Sequence, residues 1–131
     1  MLKPIAIMCS IACATATQAQ TPITDRRSVA EVRPLLVDAI NAADGAAHGT
    51  LTGALAEAIG RQFKTTAPIN VDVKTVERYA QDGCRRLSVL IWQEGVYLRE
   101  GAGGVRQSVE FGINYCRDGL PPRSLVKAGR S

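Results

Sequence analysis

Few residues of this chain have the types and the spacing that chemistry needs. His48 is the only histidine, and no cysteine or carboxylate lies near it at ligand spacing. A metal site needs three or four converging ligands, so the sequence predicts neither a bound metal nor another cofactor. Catalysis by Ser, His and Asp would also need His48, and the chain has no Gly-x-Ser-x-Gly motif. We therefore expect no enzymatic activity, although paired carboxylates stay open as an acid–base alternative.

The four cysteines fall into two groups. Cys9 and Cys13 lie in a segment that has a lysine, Lys3, near its start, continues through apolar and small residues, and ends in the small-x-small sequence 17–19. This pattern predicts a secretory signal peptide over residues 1–19, cleaved after Ala19. Its apolar run is shorter than the roughly 20 residues of a membrane-spanning helix, so we predict no transmembrane segment in the mature chain.

Two alternatives for this N-terminal segment stay open. The first is an amphipathic or buried helix, although nothing polar marks a second helix face. The second is lipidation of Cys13, because Ser10-Ile11-Ala12-Cys13 weakly resembles a bacterial lipoprotein box. The sequence lacks the leucine of that box, so we do not expect a lipoprotein.

Cys84 and Cys116 are the only cysteines beyond the signal peptide. In an exported chain, one pair of cysteines predicts a structural disulfide. Two free buried thiols are the alternative, and they do not fit an oxidising compartment. The pair is not Cys-x-x-Cys, so thiol exchange is not indicated. The bridge would close a loop with a sequence separation of 32, which the chain-entropy model values at about 3–4 kcal/mol.

This disulfide also predicts the register of a β-hairpin. If strands 85–93 and 106–115 run antiparallel with Cys84 opposite Cys116, the residue numbers of every cross-strand pair sum to 200. Strand side chains alternate between faces, and one face is then apolar, with Leu87 opposite Ile113, Val89 opposite Phe111 and Ile91 opposite Val109. The tip falls at 99–101, where Gly101 suits the left-handed position of a three-residue loop.

The other face of this hairpin carries the candidate partner-binding residues. It pairs Arg86 with Asn114 and Trp92 with Ser108, and Glu94 then meets Arg106. An exposed tryptophan on such a face would anchor a protein partner. We therefore propose Trp92, Arg86 and Arg106 as partner-binding residues. The alternative is that the N-terminal segment or the C-terminal tail packs over Trp92.

The sequence before the hairpin predicts two helices. Residues 34–44 carry apolar side chains at helical spacing, and Gly45 ends the helix. Ala46-Ala47-His48-Gly49 is interpreted as a small-residue connector to a second helix from Thr50 to Phe63. The predicted apolar stripe of that helix is Leu51, Leu55, Ala58, Ile59, Gln62 and Phe63. The two helices would cover the apolar face of the hairpin.

A further strand is predicted before the hairpin. Ile69, Val71 and Val73 alternate with polar residues, and the alternation shifts near Thr75. Residues 69–79 form either one long bulged strand or a strand followed by a helical turn. Asp82-Gly83 then turns the chain into Cys84, which allows an antiparallel meander.

These elements predict an α+β fold: two N-terminal helices packed on a small antiparallel sheet of two to three strands, with one disulfide. The expected organisation is a signal peptide at 1–19, a single domain at 20–122 and a disordered basic tail at 123–131.

Charge is uneven along the chain. Residues 20–83 hold seven Lys/Arg and eight Asp/Glu, whereas residues 84–131 hold eight Lys/Arg and four Asp/Glu. The basic half indicates either a solvated arginine-rich surface or a patch for an anionic membrane, a polyanion or an acidic partner. Its arginines do not interleave with aromatic residues as in single-strand binders, so we expect no nucleic acid partner.

Two stretches around the cysteines resemble a known group of proteins. Gly83-Cys84-Arg85-Arg86-Leu87 and Phe111-Gly112-Ile113-Asn114-Tyr115-Cys116-Arg117-Asp118-Gly119, together with an export signal, are similar to small exported accessory proteins of bacterial conjugative-transfer (type IV secretion) loci. The resemblance covers about 35 residues and transfers no catalytic residue. It implies an envelope component with a protein partner.

The sequence thus predicts an exported, periplasmic or secreted protein that acts as a non-enzymatic interaction or accessory module. Its expected partner is another envelope protein, bound through the outer face of the hairpin or the sheet edge. A secreted small-ligand or polyanion binder that uses the basic half is the alternative, and a small secreted enzyme or enzyme inhibitor is a third. The sequence specifies no oligomeric state.

Overall fold

The computed structural model of the chain describes residues 26–129. Within these residues the chain forms a mixed five-stranded sheet and two helices. In chain order the elements are β1 (Arg27–Val29), α1 (Arg33–Asn41), β2 (Ala46–Leu51), α2 (Ala54–Gln62), β3 (Ile69–Arg78), β4 (Cys84–Val96) and β5 (Val105–Cys116). The strands lie in the order β1-β2-β3-β4-β5, with β1 parallel to β2 and every other neighbour antiparallel.

The α+β class is confirmed, but the predicted arrangement of two helices on two or three strands is wrong. The difference comes from β1 and β2. Residues 46–51, interpreted as a connector and the start of a helix, form β2 instead. Ala47, Gly49 and Leu51 are buried along it while the residues between them are half-buried. The two-residue alternation is present, but alanine and glycine carry it too weakly to stand out from a loop.

The hairpin register is confirmed. Cys84 pairs with Cys116, and the pairs continue with numbers that sum to 200 as far as Gln93 and Gln107. A bulge in β4 at Glu94 and Gly95 then shifts the register by one, so that Val96 pairs with Val105. The connection at 97–104 is longer than the predicted three-residue loop, although Gly101 adopts the expected left-handed conformation, with φ of 78°.

Strand β3 resolves the two alternatives for residues 69–79. It continues to Arg78 with a bulge between Thr75 and Glu77, so the long bulged strand is correct. Strands β3, β4 and β5 form the predicted antiparallel meander.

One face of the sheet packs against α1 and forms the core. Helix α1 contributes four buried residues: Leu35, Leu36, Ala39 and Ile40. The sheet contributes alternate residues of its central strands, which are Ala47, Leu51, Ile69, Val71, Val73, Leu87 and Val89. We call this side of the sheet the inner face and the opposite side the outer face.

The helices differ in how well the sequence predicted them. Helix α1 includes Pro34 in its first turn, as expected from the fixed φ of proline. It ends at Asn41 with Ala42 as its C-cap, earlier than predicted, and Gly45, with φ of 70°, lies in the turn that follows. Helix α2 begins at Ala54, four residues later than predicted. Its predicted apolar stripe is correct for Ile59, which packs against the core, and wrong for Leu55, which is 57% exposed. Ala56, which was not in the predicted stripe, also packs against the core.

The end of the described chain returns to the sheet. Ala80 N donates to Val126 O, and Ala128 N donates to Arg78 O. The disorder expected for residues 123–131 stays a prediction. The signal peptide at 1–19 and Cys13 lie outside the described residues. No helix between residues 26 and 129 has the length and apolar character needed to cross a bilayer.

Candidate interaction surface

A carboxylate on the outer face organises a cluster of polar side chains. Asp72 lies on β3 between two buried valines, so strand alternation directs it to this face. Its Oδ1 lies 2.8 Å from Nδ1 of His48 and 2.9 Å from a guanidinium nitrogen of Arg26. Its Oδ2 accepts a hydrogen bond of 2.8 Å from Nε1 of Trp92. One half-buried carboxylate therefore holds groups from β2, β4 and the residue before β1.

The indole of Trp92 lies within reach of two arginines. The guanidinium carbon of Arg106 lies 4.0 Å from the ring centroid and that of Arg26 lies 5.5 Å from it. Arg106 also pairs with Glu94 at 3.2 Å, as the register predicted. Trp92 is half-buried, and the side chain of Arg26 lies against its ring. The packing of further N-terminal residues over the indole stays a prediction.

Two opposed effects act on the Asp72 carboxyl. Burial raises its pKa, whereas hydrogen bonds from His48, Trp92 and Arg26 and the positive charge of Arg26 lower it. The hydrogen bonds and the charge outweigh burial, so the pKa of Asp72 lies below its ordinary value of 3.8. Asp72 is therefore ionised at neutral pH and acts as the acceptor that orders the cluster.

The chemistry of this cluster is limited. A carboxylate hydrogen-bonded to one nitrogen of a histidine occurs in many acid–base sites. The sequence spacing of His48 and Asp72 did not predict this pair. Among residues 26–129, the hydrogen bonds of His48 include none to a hydroxyl or thiol nucleophile, and no three His, Cys, Asp or Glu residues group as metal ligands. The described contacts thus define an ordered polar face centred on Asp72.

Arg86 lies apart from the Trp92 cluster. It is exposed at the disulfide end of the hairpin, where its guanidinium donates to Asn114 Oδ1 at 3.2 Å, and Tyr79 donates to the same oxygen at 2.7 Å. The structure therefore brings Trp92 and Arg106 together but not Arg86. The Cys84–Cys116 disulfide is confirmed. The partner-binding role proposed for the three residues stays a prediction.

An open groove lies beside α2. It has a volume of about 920 Å³, and its walls come from α2, the 64–68 connection and Tyr97. Its lining combines apolar residues with the charged side chains of Glu57, Arg61 and Lys64. It is a wide surface depression, and no sequence motif marks it as a ligand site.

A different surface runs along β5, which with β1 is one of the two outermost strands of the sheet in residues 26–129. Val109 and Phe111 belong to the inner face, since they pair with Ile91 and Val89. They are nevertheless 57% and 43% exposed, whereas Val89 is fully buried. Helix α1 covers the central strands and leaves the β5 side open. We call β5, with its exposed residues Val105, Val109 and Phe111, the β5 edge.

Sequence reasoning missed Asp72, His48 and Arg26 as one cluster. A signal was present for Asp72, because it alternates with Val71 and Val73 and therefore shares a face with Trp92. No comparable signal pointed to the β5 edge, because the hairpin register alone does not reveal which part of an apolar face the helices cover.

Comparison of the chain with protein-family models, curated proteins and solved structures gives no match.

Proposed function

We propose that this protein is an exported, non-enzymatic interaction module of the bacterial envelope that binds another protein through the β5 edge. The observation that carries the proposal is that a 12-residue strand at the side of the sheet combines an open hydrogen-bonding edge with exposed apolar side chains. The resemblance around the two cysteines supports extending the proposal to a role in a conjugative-transfer or secretion apparatus.

Edge-strand chemistry supports this proposal. An edge strand presents unpaired N–H and C=O groups, and folded proteins commonly protect such edges with bulges, prolines or inward charges. Within β5 the pairing with β4 is regular from Gln107 to Cys116, and the strand has no proline. A regular edge of this kind accepts an additional strand, with main-chain hydrogen bonds for affinity and side-chain contacts for specificity.

The apolar side chains of the edge supply the second support. Val105, Val109 and Phe111 are each more than 40% exposed on the face that is buried elsewhere in the sheet. Exposed apolar residues that lie together mark interaction sites more often than isolated ones do. A partner strand with apolar residues on this face would extend the core across the edge.

The electrostatics of the outer face favour a protein partner over a polyanion. Arg26 pairs with Asp72 and Arg106 pairs with Glu94, so these two arginines already have carboxylate partners. Each carboxylate offsets the positive charge of its arginine, which weakens the attraction of this face for a polyanion. The predicted partner-binding residues include two arginines, Arg86 and Arg106. In the described chain only Arg86 has no carboxylate within bonding distance.

The test uses the backbone of Ser108, whose N–H points away from β4. Ser108→Pro removes that donor and leaves the β4–β5 ladder intact, whereas Ser108→Ala keeps the donor and serves as the matched control. A photo-crosslinking residue at position 111 reports contact at the edge in intact cells, and one at Leu55 on α2 reports contact elsewhere.

We expect a protein to be crosslinked at position 111, and we expect this crosslink to be retained with Ser108→Ala and lost with Ser108→Pro. The mature N-terminus of the chain should lie near Gln20. Crosslinks at position 55 that match those at 111, or a 111 crosslink that is unchanged by Ser108→Pro, would contradict binding through the β5 edge. A chain that keeps residues 1–19 would contradict export.

A further inference from the structure

We infer that the partner strand at the β5 edge is β5 of a second copy of this chain, paired antiparallel about a twofold axis at Ser108. The inference rests on the proposed function, since it names the occupant of the same edge. It adds a specific register, in which Arg106 of each copy lies opposite Glu110 of the other.

The backbone of β5 decides which residues can pair across the edge. Beyond the end of the strand, Arg117 N donates to Gly83 O, and this pair also obeys the sum of 200. Since hydrogen-bonded and non-hydrogen-bonded pairs alternate in an antiparallel ladder, odd-numbered residues of β5 bond to β4. Even-numbered residues therefore point their N–H and C=O groups to the open edge. They are Arg106, Ser108, Glu110, Gly112 and Asn114, together with Cys116, whose N–H already donates to Leu120 O.

An antiparallel copy of the same strand is complementary to this edge. A twofold axis makes the interface isologous, so each even-numbered residue must face another even-numbered one. The inner faces of the two sheets then lie on the same side. The exposed part of β5 is residues 105–112. Three registers keep the axis near the middle of this part, and they are centred on Ser108, Val109 or Glu110.

The side chains favour the register centred on Ser108. In that register Arg106 lies opposite Glu110 of the second copy, and the symmetry makes this opposite-charge pair twice. On the inner face Val105 lies opposite Phe111 of the second copy, again twice. Cross-strand opposite-charge pairs and aromatic–aliphatic pairs both stabilise a sheet, and the register removes two exposed apolar side chains per copy from water.

The other two registers lack this match. With the axis at Val109, Arg106 would lie opposite Gly112 and Glu110 opposite Ser108, so neither charge gains a direct partner. With the axis at Glu110, that carboxylate would lie opposite its own copy, and like charges directly opposite each other destabilise a sheet. The order of charges along β5 thus selects one self-pairing.

The present contacts of the two charged residues are compatible with this pairing. Arg106 contacts Trp92 and Glu94 of β4, and Glu110 accepts a hydrogen bond of 2.7 Å from Ser88 of β4. Both side chains remain exposed. The second copy therefore adds a charge partner to each network without a need to break the contacts within the chain.

Two single charge reversals test the register together. In Arg106→Glu, each pair across the axis becomes Glu with Glu, and in Glu110→Arg it becomes Arg with Arg. We expect the mass of the purified wild type to double as its concentration rises in analytical ultracentrifugation. Each variant alone should have a dimer dissociation constant at least about tenfold higher. An equimolar mixture pairs Glu with Arg at both positions, so we expect it to regain wild-type dimerisation.

A second measurement keeps the inference testable if either reversal disturbs the contacts with Trp92 or Ser88. In the register centred on Ser108, Gln107 lies opposite Val109 of the second copy as a close, non-hydrogen-bonded pair. A mixture of Gln107→Cys and Val109→Cys chains should therefore form a disulfide-linked heterodimer. Val109→Cys alone should link to itself only if the axis lies at Val109, and that result would overturn the register.

The outcomes separate this inference from the proposed function. A wild type that stays monomeric at every concentration, or a mixture of charge variants that gains nothing, overturns self-pairing. A different polypeptide crosslinked at position 111, sensitive to Ser108→Pro, would then leave the proposed function standing. Loss of that crosslink as well would overturn both.

Discussion

Asp72 decides how the outer face is ordered at the scale of single residues. Three donors from separate parts of the chain, Arg26, His48 and Trp92, share its two oxygens. A carboxylate can accept several hydrogen bonds when it is ionised, and hydrogen bonds to a charged group contribute more than neutral ones. The position of Trp92 is therefore a consequence of Asp72 as much as of the hairpin register.

We expect Asp72→Asn to lower the free energy of unfolding by about 1–2 kcal/mol at neutral pH, because the amide removes the charge and turns one acceptor into a donor that faces donors. Urea denaturation measures this change. Asp38→Asn is the matched control, since Asp38 pairs with Arg27 at an exposed site where about 0–1 kcal/mol is expected. Equal costs at the two positions would mean that the cluster does not depend on Asp72.

The pH dependence of the same variant has a definite sign. The pKa of Asp72 is lowered in the folded chain, so between that pKa and 3.8 the unfolded chain binds more protons and stability rises with pH. The contribution of Asp72 is full above pH 3.8 and is lost as the pH falls through the folded pKa. The difference in unfolding free energy between wild type and Asp72→Asn should therefore shrink in acid. A difference that stays constant between pH 7 and pH 2 would contradict the lowered pKa.

At the scale of elements, the meander from β3 to β5 was predictable and the β1–β2 side was not. The disulfide, the alternation and the turn residues all agreed on one register for β4 and β5, and one slip would have put the apolar set on the wrong face. In strand β2, small residues occupy the positions where large apolar side chains would have shown the alternation. Its inward positions are Ala47, Gly49 and Leu51, and the first two carry little hydrophobic side chain by which periodicity could be seen.

The small residues of β2 have a packing reason. A Cβ at Gly49 would lie 2.6 Å from Cδ1 of Leu35 and 2.9 Å from the carbonyl oxygen of Arg27. Glycine there allows α1 to lie close on β2 while β1 pairs alongside it. The feature that hid β2 from sequence analysis is thus the feature that lets the helix cover it.

Gly49→Ala should destabilise the domain by about 1–3 kcal/mol, because the Leu35 side chain or the β1 backbone has to move. Gly103→Ala provides the control, since a Cβ there meets nothing within 4 Å, and its effect should be close to zero. Thermal or urea unfolding of the two variants measures the contrast. A tolerated Gly49→Ala would show that α1 does not pack on β2 as closely as described.

At the scale of the whole molecule, the core is covered unevenly. Helix α1 packs over the central strands, and the inner face continues onto β5 with no element among residues 26–129 over Val109 and Phe111. A fold that needed its whole apolar face for its own stability would not leave these residues exposed. The open part is therefore available for association, and it lies on β5, which is one of the two edge strands of the sheet in residues 26–129.

Val89 and Phe111 test this division, because they are a cross-strand pair on the same face with opposite burial. Val89→Glu places a charge where the native side chain is fully buried and should cost about 3 kcal/mol or more. Phe111→Glu places the same charge at a 43% exposed position and should cost about 1 kcal/mol or less. Urea denaturation gives both values, and ultracentrifugation of the folded Phe111→Glu chain should show loss of association. Equal destabilisation by the two substitutions would mean that β5 belongs to the core of a single chain, which would leave no apolar edge for a partner.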